Sequence, residues 1–302
     1  MEKCIVTGGS GFIGTHLVNF LRETGHQVVN IDKNIRLFEG RDDVCADISN
    51  TDNNLKILEA MDGASCVFHL AALARVQPSI ERPLEFDKNN TYGTLNMLEL
   101  SRQAGIKKFI FSSSSSLYGD HEVFPTPESQ PANPISPYAL QKSIGEQYCR
   151  LYSQIHGLDT VNLRYFNVYG EGAPTEGAYC LVIGKFIQQF LAGKSLTIHG
   201  DGKQRRDFTY VQDVVRANFL AFKSEKVWNG EAFNIGNGDN RSVQEIADVF
   251  ETSYEYLPPV IEPQITLADN TKAKEEFGWE PTGNVLEWLK EHITTLPTIP
   301  SL

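Results

Sequence analysis

Glycines at positions 8, 11 and 14 fall between a short apolar run and an amphipathic segment, and this opening constrains the fold more than any other stretch. Lys3-Cys4-Ile5-Val6-Thr7 reads as a buried strand, and a helix is expected over about 12–24 with Gly25 just past its end. Gly8 permits the tight turn, and Gly11 lets backbone amides approach a pyrophosphate. Gly14 lets the helix pack closely, with its N-terminus facing the negative charge. The next strand, over 27–32, ends in Asp32, 18 residues past Gly14. A carboxylate there accepts from the ribose hydroxyls of an adenine dinucleotide and repels a 2′-phosphate, so NAD is favoured over NADP. Lys33 and Arg36 temper that preference.

Alternation continues with a strand over 44–48 carrying Asp47, a helix over 52–61 and a strand over 65–70. A helix over about 84–104, a strand over 107–112, a helix from 137 to about 156 and a strand over 160–164 follow. Repeated β-α alternation implies an α/β protein with a doubly wound parallel sheet. After Tyr165 the pattern degrades into a glycine-rich stretch over 170–180 and a helix over 181–192. A strand-like run over 196–199 precedes Gly200-Asp201-Gly202. A helix over 211–223 and a strand over 231–235 can rejoin the sheet, and helices are expected near 242–252, 270–277 and 284–293. The expected division is a dinucleotide-binding domain over 1–166 plus about 208–235. A smaller, discontinuous C-terminal substrate domain, over about 167–207 plus 236–302, closes over the carboxyl ends of the strands.

Within the helix from 137, Tyr138 and Lys142 are four residues apart and share a face, with Ser136 as cap and Pro137 in the first turn. A nearby cation favours the phenolate, which makes the pair a candidate acid/base for an alcohol proton. By itself such a pair is commonplace on helix surfaces.

A formal net charge of −11 argues against a nucleic-acid surface, and no apolar run is long enough to cross a bilayer. The five cysteines and seven histidines are scattered, with no metal-ligand spacing and no Ser-His-Asp arrangement. With no signal peptide ahead of the first strand, the cysteines read as reduced, mostly buried thiols of a cytoplasmic protein. His69, in a strand-like run, reads as a packed histidine before a catalytic one.

The glycine turn, Asp32, His69-Leu70-Ala71-Ala72, Ser112 to Gly119, Tyr138xxxLys142 and Leu163-Arg164-Tyr165-Phe166-Asn167 occur in this order. Together, with Arg206-Asp207-Phe208 and Ala268-Asp269 further on, they resemble the extended short-chain dehydrogenase/reductase superfamily. The likeness is greatest to the NAD-dependent epimerase/dehydratase family and its UDP-galactose and UDP-N-acetylglucosamine 4-epimerases. The resemblance implies a Rossmann-type fold and the catalytic residues Ser114, Tyr138 and Lys142. It implies tightly bound NAD held by Gly8, Gly11, Phe12, Ile13, Gly14, Asp32, Lys33, Asp47, Ile48, Leu70, Ala71, Ala72 and Asn89. Ser112, Tyr138, Lys142, Tyr165, Phe166 and Val168 complete that set. For the nucleotide sugar it implies Ser114, Ser115, Ser116 and Tyr138 at the sugar, Asn167 and Arg206 at the diphosphate, and Thr197 and His199 beside the base. A homodimer through a four-helix bundle is also implied, with Leu95, Leu98, Tyr148 and Tyr152 as candidate contacts.

Related activities divide on particular positions. The 4,6-dehydratases carry an Asp-Glu pair after the catalytic Ser/Thr, where this chain has Ser115-Ser116, which cannot supply the acid for eliminating water. The serine run and Gly177-Ala178-Tyr179 resemble the epimerases that accept N-acetylhexosamines. Net reduction by a related enzyme is an alternative, and a non-enzymatic NAD-sensing module a more remote one, since Tyr138 and Lys142 are both present. One departure is the segment 257–263, Leu-Pro-Pro-Val-Ile-Glu-Pro, where the family usually has Arg-x-Gly-Asp/Glu with the arginine on a phosphate. Lys203 and Arg205 are the expected substitutes.

Overall fold

The computed structural model describes residues 1–34, 43–176, 180–260 and 262–296; Arg36, Gly177-Ala178-Tyr179 and Ile261 lie outside them. The chain opens with β1 (Lys3–Thr7), α1 (Phe12–Glu23), β2 (Gln27–Asp32), β3 (Val44–Cys45), α2 (Asn54–Met61) and β4 (Ala64–His69). Next come α3 (Val76–Glu81), α4 (Pro83–Asp87), α5 (Gly93–Gln103), β5 (Lys108–Ser114), α6 (Pro137–His156) and β6 (Asp159–Tyr165). β7 (Val168–Tyr169), α7 (Val182–Leu191), β8 (Leu196–His199), β9 (Arg205–Asp207), β10 (Thr209–Tyr210) and α8 (Val211–Lys223) follow. The remainder is β11 (Glu231–Ile235), β12 (Asn240–Ser242), α9 (Val243–Asp248), β13 (Tyr254–Leu257), α10 (Thr271–Phe277) and α11 (Val285–Thr295).

Seven strands form one parallel sheet in the order β11-β6-β5-β4-β1-β2-β3. Their apolar runs are buried on both faces, as a helix-covered parallel sheet requires. Leu17 and Leu21 of α1 and Val214 and Ala217 of α8 pack on one face. Ile57 of α2, Met97 and Leu100 of α5 and Cys149 of α6 pack on the other. Burying each such leucine contributes about 1.5–3 kcal/mol relative to leaving it in water. Strand order reverses between β1 and β4, so the crevice where such sheets bind ligands lies at their carboxyl ends. A third apolar cluster, around Phe186, Ile198, Phe208, Ile246, Phe250 and Leu289, lies apart from the sheet.

The expected strand over 44–48 pairs only through Val44 and Cys45, because the Asp47 carboxylate accepts from Ser49 N and Oγ and turns the chain away. The single helix expected over 84–104 is α4, a widened turn over Lys88–Tyr92 and α5, preceded by the unanticipated α3. Within the wide turn, Asn90 reaches out to Leu73 N and O and to Gln141 Oε1. Strands β7, β9, β10, β12 and β13 were not foreseen, since two to four residues are too few to show a period. Leu98, a candidate dimer contact, is instead fully buried in the core beneath α5. Leu95, Tyr148 and Tyr152 are half-buried, and the exposed apolar residues of α6 are Leu140, Leu151 and Ile155.

Arg164 ties β6 to α6. Its guanidinium donates Nε to Glu146 Oε1 (2.9 Å) and Nη2 to Glu146 Oε2 (2.7 Å), while Nη1 reaches the Tyr118 hydroxyl (2.7 Å) and Glu128 O (3.1 Å). Removing one member of a buried pair leaves the other charge desolvated and unpaired. Arg164→Met is therefore expected to lower stability by about 3–5 kcal/mol in denaturant unfolding. Arg102→Met, which breaks an exposed pair with Glu99, should leave the curve nearly unchanged.

Candidate active site

The glycine turn forms as its residues demand. Gly8 has φ +72, its N–H donates to Ile31 O (2.9 Å), and its carbonyl accepts from Gly11 N (3.0 Å). A side chain at Gly8 would meet the backbone of Ala71, and one at Gly14 would collide with the Gly8 carbonyl and Gly9 Cα. The turn is thus wedged against the segment after β4 at the switch point of the sheet. Gly11 caps α1 with no side chain over the free amides of its first turn, which is the cradle a pyrophosphate fits.

Asp32 closes β2 beside this turn, its carboxylate accepting from Ser10 N (3.2 Å) and Asn34 N (2.9 Å). Lys33 Nζ reaches Asn89 Oδ1 at 3.5 Å. Burial pushes the Asp47 carboxyl up, but the Ser49 hydrogen bonds and the charges of Lys33 and Lys88 outweigh it and hold the group below its ordinary range. Ile48 is buried, and its carbonyl accepts from Asn96. Leu70, Ala71 and Ala72 leave β4 as an open, half-buried segment, with Ala71 N donating to Thr7 Oγ1 (3.2 Å). Free amides at the start of α1 and a carboxylate ending β2 thus lie beside one turn, chemistry that suits a pyrophosphate and a ribose.

His69 is a packed residue, as expected. Its ring nitrogens contact Thr7 Oγ1 (2.8 Å) and Thr94 Oγ1 (3.0 Å), and burial, helped by the charge of Lys142, pushes its pKa down to about 3.

Ser114, Tyr138 and Lys142 meet at the carboxyl end of β5. Ser136 Oγ accepts from Ala139 N (3.2 Å) and Pro137 occupies the first turn of α6, so the capping signal in the sequence sets where Tyr138 stands. Ser114 ends β5, and its hydroxyl counts among the groups that lower the pKa of the Tyr138 phenol. Ser115 and Ser116 lie half-buried in the turn that follows, with Ser116 N donating to Ser114 Oγ. Lys142 is buried, and its ammonium donates to Ser112 O (2.6 Å) and lies over the Phe111 ring (4.8 Å from its centroid) and the Tyr138 ring (5.9 Å). Burial pulls its pKa down to about 8. Burial also pushes the Tyr138 phenol above its ordinary range, while the Ser114 hydrogen bond and the positive charge of Arg75 pull it back.

Tyr165 is buried beneath this group, its hydroxyl bonded to Ser112 and Asn218, with Phe166 and Val168 buried beside it. Asn167 donates to Asp207 O (3.0 Å) and Thr266 Oγ1 (3.2 Å). Asp207 in turn accepts from the amides of Asn237, Gly238 and Ala268. These bonds join segments up to 99 residues apart, so no local pattern announces Thr266. Thr197 exchanges hydrogen bonds with Gln189, and His199 contacts Pro258 O (3.1 Å) and Lys185 Nζ (3.5 Å).

The departure over 257–263 brings an acid to Arg206, the residue expected at the diphosphate: Arg206 Nη2 is 2.9 Å from Glu262 Oε2, and Nη1 donates to Arg205 O and Gln264 O. The two expected substitutes are paired with other groups. Arg205 is engaged by Asn240 and Glu245, where it braces the capped start of α9, and Lys203 is exposed beside Asp201. Arg75 stands just ahead of α3 at φ 104, a conformation that no local pattern in the sequence signals for a residue other than glycine. Among the described residues no His, Cys, Asp or Glu cluster could hold a metal ion, and no helix is long and apolar enough to cross a membrane.

Residues 4–236 match the NAD dependent epimerase/dehydratase family. The UDP-glucose 4-epimerase of Thermotoga maritima, solved with UDP-glucose, is 37% identical with a TM-score of 0.90, over 95% of this chain and 96% of that one. The UDP-N-acetylglucosamine 4-epimerase of Methanobrevibacter ruminantium, in complex with UDP-N-acetylmuramic acid, is 35% identical with a TM-score of 0.87, over 97% of both chains. A UDP-N-acetyl-alpha-D-glucosaminuronate decarboxylase of Bacillus cytotoxicus is 38% identical over 97% of each chain. With a match over most of its length, and with the glycine turn, Asp32 and the Ser114-Tyr138-Lys142 group at the carboxyl ends of the sheet's strands, the chain belongs to the NAD-dependent epimerase/dehydratase family.

Proposed function

We propose that this protein is an NAD-dependent 4-epimerase of nucleotide sugars, acting on UDP-glucose/galactose or UDP-N-acetylhexosamines. The observation that carries this reading is the meeting of Ser114, Tyr138 and Lys142 above the glycine turn, with serines and no acid at 115 and 116. Ser114 hydrogen-bonds the sugar's C4 hydroxyl, and the Tyr138 phenolate takes its proton and later returns one. Lys142 holds the nicotinamide ribose. NAD held there would supply the hydride acceptor and donor for a reversible oxidation at the sugar's C4. Because the cycle is redox-neutral, the cofactor stays with the protein.

In this reading residues 1–166 plus about 208–235 hold NAD, and about 167–207 plus 236–302 hold the nucleotide sugar. Asn167 and Arg206 meet the diphosphate, and Arg206 exchanges its Glu262 partner for phosphate. Thr197 and His199 flank the base. The exposed Leu140, Leu151 and Ile155 of α6 supply a homodimer surface for a four-helix bundle with α5. Free thiols at all five cysteines fit a cytoplasmic enzyme.

The test is incubation with UDP-glucose and, separately, UDP-N-acetylglucosamine without added NAD, followed by NMR of the nucleotide sugars. Formation of the C4 epimer supports the reading. A product lacking water or carbon dioxide, or stoichiometric reduction of the cofactor, would replace it with a dehydratase, decarboxylase or net oxidoreductase.

A further inference from the structure

We propose that Ser113 and Glu146 are positioning residues for the acid/base group: their hydrogen bond fixes the end of β5 against α6 and so sets Ser114 against Tyr138. The kinetic consequence rests on the epimerase reading, and the ionisation of the phenol does not.

Tyr138, Lys142 and Glu146 follow one another at four-residue intervals along α6, and successive residues at the end of β5 meet that row. Lys142 Nζ donates to Ser112 O (2.6 Å), and Ser113 Oγ donates to Glu146 Oε1 (2.5 Å). Ser114 is the next residue and the last of the strand. Side chains alternate across a strand, so Ser113 points to the face opposite that of Ser112 and Ser114. Its hydroxyl is buried with the Glu146 carboxylate as its partner.

That carboxylate is itself held in place. Arg164 of β6 donates Nε to Oε1 (2.9 Å) and Nη2 to Oε2 (2.7 Å). The same guanidinium donates Nη1 to the hydroxyl of Tyr118 (2.7 Å), four residues after Ser114, and that hydroxyl donates to Asn234 Oδ1 of β11 (2.7 Å). Ser114 therefore lies between two residues, Ser113 before it and Tyr118 after it, that are both bonded to one guanidinium–carboxylate pair. Hydrogen bonds to charged partners are the shorter and stronger kind. Glu146 projects from the helix that carries Tyr138, so the pair fixes the Ser114 segment relative to the phenol as well as to the sheet. Ser113 is the separable member of this group. Arg164 contacts both Glu146 oxygens, so Ser113→Ala leaves the ion pair whole and no buried charge unpaired.

The experiment compares Ser113→Ala and Ser113→Thr as NAD-loaded proteins, the second keeping the hydroxyl. Tyr138 is titrated by phenolate absorbance as the difference between each protein and its Tyr138→Phe counterpart, which reads ionisation even if no sugar is turned over. The groups facing the phenol are Ser114 of β5, Lys142 of α6 and the charge of Arg75 ahead of α3, and neither variant removes any of them. Burial pushes the phenol up, and Ser114 and Arg75 pull it back, so a Ser114 that drifts from Tyr138 moves the titration to higher pH. Ser113→Ala should show that displacement. Its kcat for epimerisation should fall on the order of tenfold, part of the roughly 10²-fold that a 1 Å misplacement costs, with KM and NAD content little changed. Ser113→Thr should restore both readouts. An unchanged Tyr138 titration in Ser113→Ala, or a fall in kcat matched by an equal loss of folded protein or of NAD, would overturn the proposal. A displaced titration in a protein whose wild type epimerises nothing would uphold the Ser113–Glu146 contact and sink the epimerase reading alone.

Discussion

Tyr138→Phe is expected to lower the epimerisation rate by roughly 10²–10⁴-fold, the usual contribution of a positioned acid/base, while the protein still purifies with NAD. The substitution removes one oxygen and keeps the ring. The Ser79 contact is made by the backbone N–H of residue 138, so α3 stays docked. Lys142 is held by Ser112 O and not by the phenol, so the ribose contact assigned to it also survives. Rate and cofactor content should therefore separate: turnover lost, NAD retained. Wild-type turnover in the variant would remove Tyr138 from the mechanism. Loss of NAD along with activity would show that the phenol holds the cofactor in place.

The second large effect is expected in the opposite direction. Gly14→Ala should strip the protein of most of its NAD while Ser114, Tyr138 and Lys142 remain in place. The added carbon would collide with the Gly8 carbonyl oxygen and Gly9 Cα, both backbone atoms with no flexible end to yield. That carbonyl accepts from Gly11 N, so relieving the clash opens the turn that presents the amides of α1. A displacement of about 1 Å in a preorganised site can cost on the order of 10² in rate. Overpacking adds about 1–3 kcal/mol of destabilisation. Cofactor content of the purified protein, by absorbance after denaturation, checks this directly. Full NAD content in Gly14→Ala would show that the turn is not where the pyrophosphate lies.

These two substitutions mark what was legible in advance. The glycine turn, the acid ending β2 and the Tyr-Lys pair of α6 each lie within one strand–turn–helix unit. Local rules govern such units: a positive φ at Gly8, a side-chain cap at Ser136, and four residues per shared helix face. Helix α8 and strand β11 matched their expected spans for the same reason, since their apolar periods run uninterrupted. The expected helix over 84–104 failed at its midpoint, where Asn90 leaves helical register to bond Leu73 and Gln141. That bond answers to a partner 51 residues away, which no window of sequence contains.

The amino-acid sequence by itself determined the sheet class, the glycine turn after β1 and the shared face of Tyr138 and Lys142 on α6. These follow from short-range periodicity and from chemistry carried by neighbours in the chain. Only the tertiary structure decided what surrounds them: that Lys142 is anchored on the β5 backbone, that Ser79 of α3 is bonded to the start of α6, and that Glu262 meets Arg206. Electrostatic environment depends on distance and burial in space. Residues far apart in the chain create it, and it exists only once the chain has folded.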